Sequence, residues 1–263
     1  MNASGTVIAL GTIARREVMR ILRIWSQTLL PPAITMTLYF IIFGKLIGSR
    51  VGKIAEASDG SPISYIEYIA PGLVMMSVIQ NAYGNISSSF FSAKFQRFVE
   101  EMLVSPMPGW SILAGYVAGA VMRGLMVGVI VLGISLFFSK IHLYHPFVTL
   151  STFLLAAVIF ALLGFINAIY ARKFDDIAII PTFILTPLTY LGGVFYSITL
   201  LPPFAQTLTH LNPIFYMVNA FRYGLLDRSD VPLSLAYLVM VAFVVALSAL
   251  GLNLLTRGVG LRS

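Results

Sequence analysis

The sequence contains no cysteine, which excludes disulfides and thiolate metal sites and leaves the redox compartment unmarked. Charge is also scarce. Only 10% of the 263 residues are charged, where a soluble domain carries about a quarter. Hydrophobic residues make up 58%, and the mean hydropathy is +0.91. This balance excludes an ordinary soluble domain and indicates an all-α integral membrane protein. Histidines number three. His142 and His145 share one turn with no acidic neighbour in sequence, and His210 is isolated, so an acid–base or metal centre is not expected. There is no GxxxxGK[ST] phosphate loop, and "GKLIGS" lacks its spacing, so the chain is not expected to hydrolyse ATP. Nor is the start a secretory leader, because the apolar stretch 7–13 is short and its arginines follow it.

What is present is long apolar runs. A span needs roughly 20 apolar residues, and six runs qualify: 29–47, 66–91, 111–138, 147–170, 177–196 and 233–254. Pro31 and Pro32 open the first, in a turn that tolerates proline. The second ends in the unusually polar "QNAYGNISSS". A polar loop, 48–64, separates these two. With the N-terminus inside, Arg15, Arg16, Arg20, Arg23, Lys94, Arg97, Arg172, Lys173, Arg257 and Arg262 fall on the inner side. Lys45, Arg50, Lys53, Lys140, Arg222 and Arg228 fall outside. Ten against six favours cytoplasmic N- and C-termini.

Three segments do not span. Over 10–25, Leu10, Ala14, Val18, Ile21 and Trp25 share one helical face, and Arg16, Arg20 and Arg23 share another. That pattern suits a helix lying at the headgroup boundary, or simply a basic flank of the first span. Over 92–109, Phe91, Phe95, Phe98 and Met102 fall on one face, widened by Val99 and Leu103. Lys94, Arg97, Glu100 and Glu101 lie mostly elsewhere, with Arg97 and Glu101 spaced as an i,i+4 pair. Pro106, Pro108 and Gly109 end this helix. An exposed aromatic stripe of this kind wants a partner or a lipid surface. Over 199–231, Thr199 can cap a helix begun by Pro202-Pro203, and Asn212 one begun by Pro213. The second presents Ile214, Val218, Phe221 and Leu225 as one stripe. Both helices are too short to cross, so they dip into the outer leaflet and return, or lie on the outer face.

Arg123 is the one cation deep in a run. It is either a substrate contact or a structural arginine bonded to Asn81, Asn85 or Asn167. Gly115/Gly119 and Gly124/Gly128 give small-xxx-small packing faces in the same run. Glu67 sits near the outer end of the second run, and no other Asp or Glu lies in the middle of one, which argues against proton coupling. A secondary transporter or channel not driven by ATP, and a lipid-acting membrane enzyme, remain as alternatives.

"FQRFVEEMLVSPMPGWSILAGY" and "LPPFAQTLTHLNPIFYMVNAFRYG" resemble, respectively, the loop after span 2 and the segment before span 6 in the membrane subunits of ABC-2 type exporters. "RIWSQTLLPPAITMTLYFIIFG" and "FDDIAIIPTFILTPLTYLGGVFYSITLLPPF" are similar to bacterial inner-membrane permeases of that family. The resemblance covers nearly all of residues 1–263. It implies six transmembrane helices, with 10–25 as interface helix, 92–109 as the cytosolic coupling-helix loop and 199–231 as an outer re-entrant pair. It implies that Phe95, Arg97, Phe98, Glu100, Glu101 and Met102 couple to a cytosolic ABC ATPase, present in two copies. ATP and Mg are used by that partner, and no cofactor is bound by this chain. A second copy of the chain completes a homodimer in the bacterial inner membrane, among lipid, with no nucleic acid involved. The resemblance places spans 1 and 5 at the dimer interface, with a route for a lipid-like, glycolipid, polysaccharide or hydrophobic drug cargo between them. Thr35 and Tyr39 on span 1, and Leu188, Gly192 and Phe195 on span 5, are then path candidates, together with Asn81, Asn85, Arg123 and Arg222.

Overall fold

The computed structural model describes residues 3–51, 53–56 and 62–260. Helix α1 (Ala3–Arg23) is followed by α2 (Trp25–Tyr39), which runs on as a π-helical stretch, Phe40–Ile47. Then come the short α3 (Gly48–Val51) and the strands β1 (Lys53–Glu56) and β2 (Pro62–Ser64). Next are α4 (Tyr65–Phe95), α5 (Phe98–Val104), α6 (Gly109–Phe138) and α7 (Pro146–Tyr170). The fifth apolar run forms α8 (Asp176–Ile180), a π-helical stretch (Pro181–Leu185) and α9 (Thr186–Leu191). A 3-10 turn (Ile198–Leu200), α10 (Pro203–His210), α11 (Pro213–Leu226) and α12 (Leu233–Arg257) complete the order.

The chain is almost wholly helical. Among the described residues the exception is the antiparallel β1–β2 hairpin, in register Lys53↔Ser64 and Glu56↔Pro62. Gly52 and residues 57–61 of the expected polar loop lie outside the described residues, as does Arg262 of the expected inner basic set. Among the described residues, four helical stretches are long and apolar enough to cross a membrane: Trp25–Gly44, Gly109–Phe138, Pro146–Tyr170 and Leu233–Arg257. Helix α4 is 31 residues long but more polar, and Asp176–Leu191 is a shorter apolar helix.

Helix α4 is the centre of the bundle. Tyr68, Leu73, Val78, Ala82, Ile86 and Phe90 along its length are all fully buried. The polar half expected from "QNAYGNISSS" is buried too: Asn81, Asn85, Ser87 and Ser89 are each under 9% exposed. Glycines set how closely its neighbours approach. A Cβ on Gly164 of α7 would lie 2.6 Å from the Tyr83 carbonyl, and one on Gly128 of α6 would strike Phe153 and Val78. The two small-residue pairs of α6 serve different neighbours. Gly124 and Gly128 face α4, and Gly115 and Gly119 face Ile13 and Glu17 of α1. Close backbone approach, the packing reading, is what both pairs provide.

Glu67 belongs to the start of α4. Its Oε2 accepts from the Ser64 N–H at 2.9 Å and the Ser64 hydroxyl at 2.7 Å. It serves as a reciprocal N-terminal cap.

The fifth run departs from a regular helix because of its prolines. Pro181 has no N–H to give to the carbonyl of Ile177. The Asn167 side chain of α7 donates to that carbonyl instead, at 3.2 Å. The continuous helix stops at Leu191, not at residue 196 as expected, because Gly193 turns the chain with φ of 71°. Gly192 also packs closely within the chain. A Cβ there would lie 2.8 Å from Ile214 of α11.

The segment before α12 forms the expected two helices. Asn212 caps α11 by accepting from the Ile214 N–H at 3.0 Å. The stripe Ile214, Val218, Phe221 and Leu225 is buried. Helix α10 starts at Pro203 with Pro202, not Thr199, in its cap position, and Thr199 belongs to the preceding 3-10 turn.

Candidate functional site

The aromatic stripe at 92–109 is not one continuous face. Arg97 adopts a left-handed conformation (φ 64°) and breaks the helix between α4 and α5. Along the stripe Phe91 is turned inward, to 1% exposure, whereas Phe95 at the end of α4 and Phe98 at the start of α5 are 64% and 47% exposed. Val99 is buried and Met102 packs partly against the core. Arg97 and Glu101 are exposed, and the expected pair between them is absent from the ion pairs of the described residues, since Arg97 lies before the first turn of α5.

A residue the sequence reading passed over completes this surface. Phe174, in the turn between α7 and α8, is half exposed and packs 5.3 Å from Phe95 and 4.9 Å from Phe91. Its signal was the lone aromatic inside the charged "ARKFDD". Asp176 shapes the turn by accepting from the N–H groups of Arg172 (2.7 Å) and Lys173 (2.9 Å), and these bonds hold its carboxyl below the usual range. Beside it, Lys94 donates to the carbonyls of Ile169 (2.5 Å) and Ala171 (2.8 Å), capping the negative end of α7. Burial, then the charge of Arg172, pulls the Lys94 pKa down. Between these elements lies an open groove of about 730 Å³, with Lys94, Phe95, Arg97, Glu100 and Arg172 among its lining.

Helix α1 flanks the same end of the bundle, and the face it turns to the core carries an acid. Thr6, Ile13, Glu17 and Ile21 face inward, while Trp25 is 55% exposed and opens α2. That acid is Glu17. It is 2% exposed and holds Arg20 at 2.9 Å, Arg16 at 3.3 Å and the Ser89 hydroxyl at 2.6 Å. Arg16 also donates to the Tyr116 hydroxyl (2.6 Å) and Arg20 to Asn85 Oδ1 (2.9 Å). A buried carboxylate needs such partners. Its sequence signal was weak: one acid inside the basic "ARREVMR".

At the opposite end, His145 has the acidic neighbour that sequence proximity did not show. Its Nε2 lies 2.8 Å from Asp227 Oδ1, and its ring stacks on Tyr223 at 4.7 Å. Arg222 is buried to 1% exposure, with its guanidinium 4.0 Å over the Tyr68 ring and Nη2 donating to the Gly193 carbonyl at 2.7 Å. These contacts pin α11 to α4 and to the turn after α9.

The candidates on the first and fifth runs meet within one chain. Tyr39 and Tyr190 hydroxyls are 3.2 Å apart, and Phe195 lies 5.0–6.0 Å from Phe43, Tyr190 and Tyr39. Leu188 is partly buried, and its carbonyl accepts from Asn212 at 2.5 Å. Thr35 is exposed on α2. Asn81 and Arg123 line one cavity with it, whereas Asn85 is engaged by Arg20. None of the three asparagines expected to hold Arg123 is hydrogen-bonded to it: Asn81 donates to Ser77, Asn85 accepts from Arg20, and Asn167 donates to Ile177.

Residues 8–226 match the family model described as ABC-2 type transporter. The chain is 56% identical over 256 residues to the inner membrane transport permease YadH of Escherichia coli strain K12, covering 97% of this chain and 98% of that one. The same identity and coverage hold for YadH of Shigella flexneri. Nodulation protein J of Sinorhizobium fredii is 26% identical over 222 residues, covering 84% of this chain and 82% of the other.

Proposed function

The chain belongs to the ABC-2 type transporter family and is a permease subunit of an ABC transporter, and on that premise we propose that it exports a lipid-like, glycolipid, polysaccharide or hydrophobic drug cargo. It is a multi-pass protein of the bacterial inner membrane, and the family implies association with an ABC ATPase. The permease is not itself the ATPase; ATP and Mg are consumed in two copies of that partner. Two copies of this chain form the membrane unit, each contributing six spans by adding α4 and Asp176–Leu191 to the four apolar stretches. Helix α1 is the interface helix, and α10 and α11 are the outer re-entrant pair.

The observation that carries the reading is the pair of exposed phenylalanines, Phe95 and Phe98, on either side of the break at Arg97. Two large apolar side chains beside a charged groove suit a protein partner, with the aromatics as anchors and Arg97, Glu100 and Glu101 at the rim. Phe98→Asp tests it. Affinity for the co-expressed ATPase should fall at least tenfold, about 1.4 kcal/mol, with the permease still folded. A variant that copurifies with the ATPase and transports normally would remove this assignment. The cargo route runs between the two copies along α2 and α8–α9, past Thr35, Tyr39, Leu188 and Phe195. Glu67 has a structural role, capping the start of α4, which weighs against a secondary transporter built on it.

A further inference from the structure

Arg123 lacks what a structural arginine needs. Its Nε is buried with no hydrogen-bond partner. It borders a cavity of about 310 Å³ between α2, α4 and α6, shared with Gln27, Thr35, Gln80 and Asn81. Among the described residues, no carboxylate lines this space. The cavity therefore holds one cation, three amide side chains able to donate, and a hydroxyl. Those groups match a phosphate, which accepts several hydrogen bonds at once and is favoured by a guanidinium.

Depth decides where such an anion comes from. Helix α6 has 30 residues, about 45 Å at 1.5 Å per residue, against a hydrocarbon core of about 30 Å. Its first turns run alongside α1, with Ile13 at Gly115 and Glu17 at Gly119. Arg16 and Arg20 accompany Glu17 there, which suits the boundary end of the helix. Arg123 follows Gly119 by one helical turn, about 6 Å further in, and shares its cavity with Gln27 in the first turn of α2. The cavity thus extends from the boundary end of the bundle into the leaflet, where an arginine side chain can reach toward a lipid headgroup. Gln27, Pro31 and Thr35 are exposed, so the cavity opens sideways, in the direction from which a lipid arrives.

We propose that this cavity binds the phosphate headgroup of an anionic lipid or lipid-like molecule from the leaflet on the α5 side, with Arg123 recognising the charge and Gln27, Gln80 and Asn81 donating hydrogen bonds. The proposal deepens the exporter reading by naming the chemistry of the cargo's head, and it rests on that reading for the statement that the bound lipid is cargo. Binding itself is measured without the ATPase. Failure of the site therefore leaves the coupling surface standing, and failure of the Phe98 test leaves the site standing.

The full chain, delipidated in neutral detergent, is titrated with phosphatidylglycerol, phosphatidylcholine and inorganic phosphate, and bound species are counted by native mass spectrometry. Phosphatidylglycerol should bind about tenfold tighter than phosphatidylcholine, a difference of about 1.4 kcal/mol. Arg123→Gln should abolish that preference, and Arg123→Lys should keep part of it. Gln80→Leu, which leaves the charge in place, should weaken phosphatidylglycerol severalfold. Competition by millimolar inorganic phosphate would identify free phosphate as the ligand and overturn the lipid assignment. Equal affinities for the two lipids, or a preference unchanged in Arg123→Gln, would overturn the site itself. Thermal melting supplies the second check. An arginine held by backbone carbonyls near Pro31 and Pro32 would be structural, and Arg123→Gln would lower the melting temperature. A ligand site leaves the unliganded variant as stable as the parent or more so.

Discussion

Helix α7 buries 72% of its most apolar window inside the chain, whereas the Trp25–Gly44 span buries 17% of its own. Both are apolar, yet their neighbours differ. Helix α7 meets α4 through Gly164 and the Tyr83 carbonyl, at a distance only glycine allows. The first span and the α8–α9 run carry prolines and π-helical stretches, and they leave Leu30, Ile34, Leu38, Phe183 and Ile184 exposed. One half of the molecule is fixed by backbone contact. The other is attached by side chains and has faces left over for lipid or a second copy. Motion during transport is expected in the second half, because it has fewer contacts to break.

The contrast breaks most visibly at the glycines. Gly164→Leu should destabilise the fold by about 3 kcal/mol or more, since overpacking a tight crossing forces the backbone apart. Gly133→Leu on α6, where nothing lies within 4 Å of a Cβ, should be near neutral. Thermal melting of the two purified variants compares them directly, and equal losses would mean that α4 and α7 are not locked as described.

The loose half offers a sharper test on a single short stretch. Phe183 is 73% exposed and Leu185 is 5% exposed, both within Pro181–Leu185. In this cysteine-free chain, Phe183→Cys should cross-link efficiently between copies and Leu185→Cys should not. Efficient cross-linking from Leu238 of α12 instead, with none from Phe183, would move the interface to the other side of the bundle.

Asn167 is the tie between the halves, because it satisfies the Ile177 carbonyl that Pro181 leaves without a donor. Asn167→Ala should cost about 1 kcal/mol, the smallest of these effects. Hydrogen exchange should rise in α8 and not in α4. Exchange rising equally in both would show that Asn167 supports the core and not the link.

Much of this was readable from residue order. The cap at Asn212, the buried stripe of α11 and the packing role of the α6 glycines follow from spacing alone, because each is local to one helix. What spacing did not reveal depended on residues far apart in sequence or on backbone choices with no residue signature. The left-handed Arg97 is not a glycine, so nothing marked the break that separates Phe95 from Phe98. Glu17 carried no marked role in residue order, because Ser89, which closes around it with the two arginines, lies 72 residues away. His145 and Asp227 are separated by 82 residues. For Arg123, spacing placed it deep in α6 but did not reveal the cavity it shares with Gln27 and Thr35 of α2, far away in sequence.

The polarity of α4 has a consequence for how the protein is made. Helix α4 is 31 residues long, yet it is not among the four stretches apolar enough to cross on their own. Its asparagines and serines are buried, and α6 and α7 supply glycine-lined surfaces against it. Both of those helices are synthesised after it. The place of α4 is therefore expected to depend on α6 and α7 rather than on its own apolarity, so a chain truncated before these helices should hold α4 less firmly in the membrane than the full chain does.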